Sequence, residues 1–296
     1  MRNFESKRNA REESEPVIPT SDVRHDPWSL LPGKGSFSFR LATTSYIIPA
    51  EILPNIRFLG QYFDEIELVL FESGRESNLP TSDQVREITR IASELDITYN
   101  VHLPADLFFG DPDPALRRRF CETAFSFYER TLPIAPTCYI LHLDSRKADG
   151  TMELNGPAWR DRVFESLQTM RMKGIDLGRV AVENLEYPLQ RVAPFVEAFD
   201  MSFCFDIGHL LRYGHDVEDQ AANFLDRSPM VHVHGVERGK DHLGLDRIPS
   251  AEWTVIRSAL AGYGGGLSIE VFSIDDLAVS LTRMLEIARK EDADEP

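Results

Sequence analysis

Cysteine is scarce in this chain of 296 residues. Cys121, Cys138 and Cys204 are odd in number and show no CxxC spacing. That excludes a disulfide framework and a thiolate zinc site, and it predicts buried, reduced thiols in a cytoplasmic protein. Long apolar runs are missing too. No stretch approaches the roughly 18 apolar residues of a membrane helix, and the polar N-terminus lacks the apolar core of a signal peptide. Positive charge is also short. Lys and Arg number 32 against 48 Asp and Glu, a formal net charge of -16. Residues 1–35 hold six basic and six acidic side chains, so the excess lies on the rest of the chain. Such a surface repels a phosphate polyanion, and no basic run offsets it, so nucleic acid is not an expected partner. Finally, no Gly-rich phosphate loop follows the first expected strand, which counts against a doubly wound nucleotide-binding sheet.

What the chain does contain is rhythm. Met1 to about Gly35 is polar and Pro-rich and has no periodicity, so it reads as a disordered or loosely packed arm. From Ser36 the pattern alternates between short β-rich runs and helical stretches. Strands are expected at Ser36–Leu41, Glu65–Glu72, Ile97–Leu103, Cys138–Leu143, Val180–Asn184, Ser202–Ile207, Met230–His234 and Leu267–Phe272. Helices are expected at Ala50–Gln61, from the Thr81/Gln84 capping box to Leu95, up to Leu132, at Pro157–Lys173, Leu189–Ala198 and Val217–Leu225, after Ser250, and after the Ser273/Asp276 capping box. Glu291–Pro296 is expected as a frayed acidic tail. Eight strand–helix units over residues 36–290 imply a parallel sheet closed as a (β/α)8 TIM barrel, an α/β fold.

The barrel reading gives the polar strand ends a purpose, because active sites of such barrels lie at the C-terminal ends of the strands. The anchor is Phe203-Cys204-Phe205-Asp206-Ile207-Gly208-His209, an apolar run that ends in a carboxylate and an imidazole. Gly208 is expected to let the backbone turn sharply there. His102 and His142 end the third and fourth strands, and Glu183 ends the fifth. His232 and His234 end the seventh, with His242 in the loop beyond, and Glu270 ends the eighth. A lone His or Asp would be a satisfied core or capping residue. Barrel closure instead gathers all of them, and uncompensated carboxylates so placed would resist ionisation. Bound cations remove that conflict. An all nitrogen-and-oxygen set suits Zn, Mn, Co or Fe. Eight candidate ligands, His102, His142, Glu183, Asp206, His209, His232, His242 and Glu270, exceed the needs of one ion, so two or three divalent ions are expected. Paired ions are a common device for displacement at phosphorus.

This pattern, with Asp206-Ile-Gly-His209 at its centre, resembles the xylose isomerase-like barrel superfamily, endonuclease IV branch. The resemblance covers about Ser36 to Lys290. The stretches Arg40-Leu-Ala-Thr-Thr-Ser-Tyr-Ile-Ile-Pro-Ala, Glu65-Ile-Glu-Leu-Val-Leu-Phe-Glu72 and His232-Val-His-Gly-Val-Glu-Arg-Gly-Lys-Asp-His242 further resemble the cobamide-remodelling phosphodiesterases. The resemblance implies that His102, His142 and Glu183 hold one ion. Glu183 would bridge to a second ion held with Asp206, His232 and Glu270, while His209 and His242 would hold a third. The endonuclease pattern wants an Asp where Lys240 stands, which leaves His234 or Asp241 to complete the third site. Catalytic candidates are Glu183, Glu270 and His209. Arg40, Tyr46, Glu67 and Lys240 are candidates for substrate contact, with surface or barrel-layer roles as the alternative. Phe108 and Phe109 either wall a large planar ligand or pack their loop.

The implied activity is hydrolysis of the nucleotide-loop phosphodiester of adenosylated cobamides. Its products would be cobinamide phosphate and an α-riboside, and its partner a small-molecule corrinoid with no membrane involved. The alternatives are repair cleavage of abasic DNA, disfavoured by charge, and a single-ion sugar isomerase or epimerase, which would leave His102 and His142 idle. A non-catalytic metal-dependent binding barrel is the last.

Overall fold

The computed structural model describes Trp28, Leu31 and residues 33–294 apart from 74–75 and 152–155, with side chains described as far as Ile287. Eight parallel strands close into a barrel. They are β1 (Arg40–Thr44), β2 (Glu65–Val69), β3 (Thr98–His102), β4 (Tyr139–His142), β5 (Val180–Glu183), β6 (Ser202–Asp206), β7 (Met230–Val233) and β10 (Gly266–Ile269). The last closes on the first, with Arg40 opposite Gly266 and Thr43 opposite Ile269. The outer ring comprises α1 (Ile52–Leu59), α2 (Ser82–Leu95), α3 (Pro114–Thr131), α4 (Pro157–Lys173), α5 (Ala193–Phe199), α7 (Val217–Phe224), α8 (Ser250–Ala259) and α9 (Ile274–Asp294). None of the described helices is long and apolar enough to cross a membrane. The closed barrel expected from the alternation is therefore present.

Local chemistry sets the element bounds. Thr81 accepts from the Gln84 backbone N–H while Gln84 accepts from that of Thr81, a complete capping box at α2. Asp113 caps α3, with Pro114 at its first turn. Between sheet and helices lies one large apolar core, in which Trp159, Trp253, Phe63 and Phe203 are fully buried. A second, small cluster of Cys138, Ile140, Ala181, Cys204 and Met230 lies apart from it. Ile140, Ala181, Cys204 and Met230 lie on the barrel-axis side of β4–β7, since the pleat alternates and His142, Glu183, Asp206 and His232 follow them by two; Cys138 precedes Ile140 by two. Small residues fill the narrow axis and leave the top layer to the polar strand ends. All three cysteines are free and buried, as expected.

Several details differ from the sequence reading. The first strand begins at Arg40, not Ser36. Phe37 and Phe39 stack on each other, ring centroids 5.1 Å apart, in the lead-in segment before sheet pairing begins. Trp28 packs its ring against Phe58 and Tyr62 at 5.2 and 5.1 Å, so the chain is already tied to α1 there. Gly35 donates its N–H to Asp64 Oδ1 at 2.8 Å, and residues 1–27, 29–30 and 32 of the expected N-terminal arm lie outside the described residues. At the other end α9 continues to Asp294 rather than stopping at Lys290, in keeping with a run of Ala, Glu, Lys and Arg and no Gly or Pro before Pro296. Two elements near the strand ends were not anticipated. One is a short helix, α6 (Ile207–Tyr213), directly after β6; the other is a hairpin of β8 (Gly235–Glu237) and β9 (Lys240–Leu243) after β7. The hairpin turns on Arg238 and Gly239, both at positive φ (51° and 77°), as a tight two-residue hairpin turn requires.

Candidate metal centre

The four strands that end in His102, His142, Glu183 and Asp206 are neighbours in the barrel, and β7 and β10 complete the ring with His232 and Glu270. Glu183 is the hub. Its Oε2 lies 3.0 Å from His142 Nε2, 3.3 Å from His102 Nε2 and 3.7 Å from His232 Nδ1, and its Oε1 lies 3.2 Å from His209 Nδ1. Ligand-capable atoms fall into overlapping groups, each within 4.8 Å. One is His102–His142–Glu183, another Glu183–Asp206–His232–Glu270, and a third His209–His234–His242. A grouping of Glu183 and His232 with Cys204 also meets that distance. Burial pushes the Cys204 thiol well above its ordinary pKa, which favours its protonated form.

The residues fit divalent ions on three counts. Glu183 Oε1, Asp206 Oδ2, His232 Nδ1 and Glu270 Oε2 are buried and have no hydrogen-bond partner, one orphan from each member of the four-residue group. Buried polar atoms in folded proteins are almost always satisfied, so four converging orphans call for a shared partner. Tautomers agree. His102 donates Nδ1–H to Leu103 O at 2.8 Å, which leaves Nε2 as a lone pair aimed into the site. His232 lies between two carboxylates, with Nε2 3.0 Å from Glu67 Oε2 and Nδ1 3.2 Å from Glu270 Oε2; neither ring nitrogen is aligned for a hydrogen bond, and the charge of Glu67 stands behind the ring. Charge agrees as well. Burial opposes a charged His102, yet hydrogen bonding and charge from Glu183, with help from Glu67 and Glu270, push its pKa up to about 9. Against the same burial, Asp206 and Glu183 push His209 up to about 10. Burial likewise opposes ionised Glu183 and Glu270, but the surrounding imidazoles hold both well below the carboxylate range. Protons now balance a concentration of negative charge that cations could balance instead.

Asp206 combines the two roles that the sequence offered as alternatives, a helix cap and a candidate ligand. Its Oδ1 accepts from His209 N–H at 2.6 Å and starts α6, while Oδ2 is the orphan facing the cluster. Gly208 serves a purpose other than a sharp turn. A Cβ there would stand 2.1 Å from the His234 ring, so glycine is needed for close approach. His234 Nδ1 accepts the His242 backbone N–H at 3.0 Å. The neutral ring then carries its proton on Nε2, which faces Asp206 Oδ1 at 3.4 Å. Through the His242 backbone His234 braces the hairpin. His209, whose Nδ1–H goes to Asn184 O at 2.9 Å, keeps Nε2 free, 4.0 Å from Asp241 Oδ2. His242 sits at positive φ (54°), a strained backbone of the kind found at functional sites.

The other sequence candidates do not meet at the centre. Arg40 lies at the opposite, N-terminal end of the barrel, where it pairs with buried Glu65 at 2.7 Å. Glu67 is fully buried inside the barrel behind His232, because residues of β2 two apart share the axis face. Lys240 is exposed at the start of β9 and does not line the cavity. Phe109 is buried in the main core and Phe108 packs edge-on against Phe120 in its loop, so neither walls the site. Tyr46 accepts from Asn78 Nδ2 at 2.9 Å beside the mouth.

Above the ligands opens a cavity of about 590 Å3. Its wall includes residues that sequence reading missed: Arg146, Arg212, Phe71, Tyr213 and Phe272. Arg146 is four residues past His142 and Arg212 three past His209, so their proximity to ligands in sequence was the available signal. Both arginines are engaged, Arg146 by Asp144 (Nε–Oδ2 2.7 Å) and Arg212 by Asp241. With Glu72, Asp106 and Glu186 also in the wall, acid outnumbers base at the mouth.

Comparison with known proteins gives a consistent placement. The chain aligns with a D-tagatose 3-epimerase-like protein at a TM-score of 0.68 and 17% identity, over 86% of this chain and 98% of that one. D-Psicose 3-epimerase from Clostridium cellulolyticum gives 0.64 and 17%, over 85% and 99%. Endonuclease IV from Thermus thermophilus gives 0.63 and 16%, over 85% and 99%. At such identities the likeness is one of fold. No protein of curated function matches by sequence. A family model, xylose isomerase-like TIM barrel, matches residues 56–291. With that match on a closed barrel of eight parallel strands, the chain belongs to the xylose isomerase-like TIM barrel family.

Proposed function

We propose that the protein is a multi-ion phosphodiesterase that hydrolyses the nucleotide-loop phosphodiester of adenosylated cobamides, giving cobinamide phosphate and an α-riboside. The observation that carries the hydrolase reading is the double use of Glu183. One carboxylate serves both the His102–His142 group and the Asp206–His232–Glu270 group, as a bridge between paired ions would. The corrinoid choice rests on the sequence likeness of the Arg40, Glu65 and His232 stretches.

When bound, divalent ions at these groups would supply Lewis acidity toward the phosphate and lower the pKa of water. The chain's own contribution is placement. Glu183 and Glu270 fix the geometry of the centre from two sides of the barrel. His209 Nε2, free at the cavity floor, can hold a proton destined for the leaving alkoxide. Arg146 and Arg212 are the cations within reach of a substrate phosphate, and the acids that hold them fix their direction. The acidic mouth favours a single phosphodiester on a small molecule over a DNA backbone.

A second reading has one specific observation behind it. Glu183, Asp206, His232 and Glu270 form a complete four-ligand site on their own, which a single-ion sugar epimerase would need. Metal analysis separates the two: two or more ions per chain for the phosphodiesterase, one for the epimerase. The direct test incubates metal-loaded protein with an adenosylated cobamide in oxygen-18 water. Mass spectrometry should find the label in cobinamide phosphate and none in the riboside. Intact cobamide, or label in the riboside, would overturn the proposal.

A further inference from the structure

The metal cavity does not end at its lip. Phe71, Tyr213 and Phe272 stand there 39%, 43% and 45% exposed, although large apolar side chains elsewhere are mostly buried. Phe272 is also a wall of a second, open basin of about 1010 Å3, formed with Tyr46, Ile48, Pro49, Pro54 and Ile274. Among the described residues Glu51 is the only charged one in that basin. The two depressions therefore share one aromatic wall, one side polar and metal-ligating, the other apolar.

The basin has a built shape. Its floor is the loop between β1 and α1, and fully buried Asn55 organises that loop. Asn55 Oδ1 accepts from the N–H groups of Ile47 and Ile48, both at 2.9 Å, and Nδ2 donates to the carbonyls of Ile48, Ala50 and Glu51 at 3.0–3.1 Å. Few surface loops have a buried amide spending its whole hydrogen-bonding capacity on them. Tyr46 is likewise positioned, by Asn78 and by ring contact with Phe71 at 6.3 Å. Rigid aromatic and apolar surface of this kind, contiguous with a catalytic cavity, marks a binding region.

We propose that the Tyr46–Ile48–Pro49–Phe272 basin is the subsite for the corrin ring, which lies outside the metal cavity while its phosphodiester arm reaches over Phe272 to the ions. The assignment rests on the phosphodiesterase reading for the identity of the ring. Volume supports the division. A cavity of about 590 Å3 is of a size for a phosphate and a nucleoside. A macrocycle many times larger than a phosphate needs the neighbouring space, and the open basin offers apolar walls to the methyl-bearing ring while its amide arms stay in water.

The experiment uses cobinamide, which carries the ring and lacks the nucleotide loop. Its binding to the metal-loaded protein is measured by equilibrium dialysis for the wild type, Phe272→Ala, Ile48→Asp and the conservative Phe272→Trp, with circular dichroism melts to establish folding. The wild type and Phe272→Trp should bind. Phe272→Ala and Ile48→Asp should bind at least tenfold more weakly and raise the KM for the full cobamide by a similar factor. Equal affinity in all four folded proteins, or no binding to the wild type, overturns the subsite. Hydrolysis of bis(4-nitrophenyl) phosphate by the wild type, with no need for a ring, reports on the phosphodiesterase reading separately. Cobinamide binding that the variants lose, in a protein inert toward both diesters, would support the subsite and remove the hydrolase.

Discussion

Replacing Glu67 should weaken metal binding even though no ion is expected to touch it. Glu67 is fully buried, and the nearest group to its carboxylate is His232 Nε2 at 3.0 Å. His232 turns its other nitrogen to the cluster. Glu67→Gln keeps the shape but removes the charge behind the imidazole. Groups in that position are typically worth 10- to 100-fold in metal affinity, or about 1.4–2.8 kcal/mol. Glu67→Leu removes the charge and the polar group together, and should weaken the same ion at least as much. The loss should fall on the ion that uses His232 and much less on the one that uses His102 and His142. Titration against a chromophoric chelator resolves the two equivalents, and thermal melts separate metal loss from unfolding. Wild-type affinity for both ions in folded Glu67→Gln and Glu67→Leu would refute the reasoning. If KM alone changed, Glu67 would be a substrate contact after all.

The double variant His102→Ala/His142→Ala should stay folded and lose one metal equivalent together with most activity, because both side chains sit at the strand ends and outside the main core; unchanged metal content by elemental analysis would sink the assignment. Gly208→Ala drives a methyl group into the buried His234 ring, and overpacking of this kind costs about 1–3 kcal/mol. Denaturant melts of the metal-free protein measure it, and a neutral result would mean that α6 shifts freely. Metal binding at pH 7–8 should release protons, since His102, raised to about 9, must give its proton up to become a ligand; affinity then rises with pH and levels off above that value. Calorimetry in two buffers of different ionisation enthalpy reads the release, and none would mean that the imidazole is already neutral.

How far the sequence carries can be judged at particular residues. The eight strands, and the gathering of His, Asp and Glu at the ends of six of them, were legible because they rest on a local pattern, a short apolar run followed by a polar residue. Glu67 and Arg40 were misplaced for one reason. The sequence shows that a residue lies on the axis face of a strand, but the depth along the barrel depends on stagger between strands. Arg40 is level with Gly266 at one end, whereas Glu183 is level with His142 near the other. The β8–β9 hairpin left only the Arg238-Gly239 turn as a signal, inside a loop already crowded with His and Asp. The aromatic lip was illegible altogether. Phe71 and Phe272 follow apolar strands directly and read as more of the same core, until closure of the barrel turns them outward.

The strongest constraint on function comes from two rings and one oxygen. Nε2 of His102 and Nε2 of His142 both point at Glu183 Oε2, at 3.3 and 3.0 Å. With its Nδ1–H committed to Leu103 O, neutral His102 would present a lone pair to a carboxylate oxygen, and the two would repel in a buried site. Something positive must lie between them, either a proton on the imidazole or a cation. A single ion held by Glu183, Asp206, His232 and Glu270 would draw on the same carboxylate and weaken its hold on a proton at His102. The buried imidazole would then lose its proton and face an acceptor with nothing in between. A second cation between the two histidines and Glu183 removes that conflict without moving a side chain. On this ground the placement of His102 and His142 beside Glu183 supports the paired-ion reading proposed above.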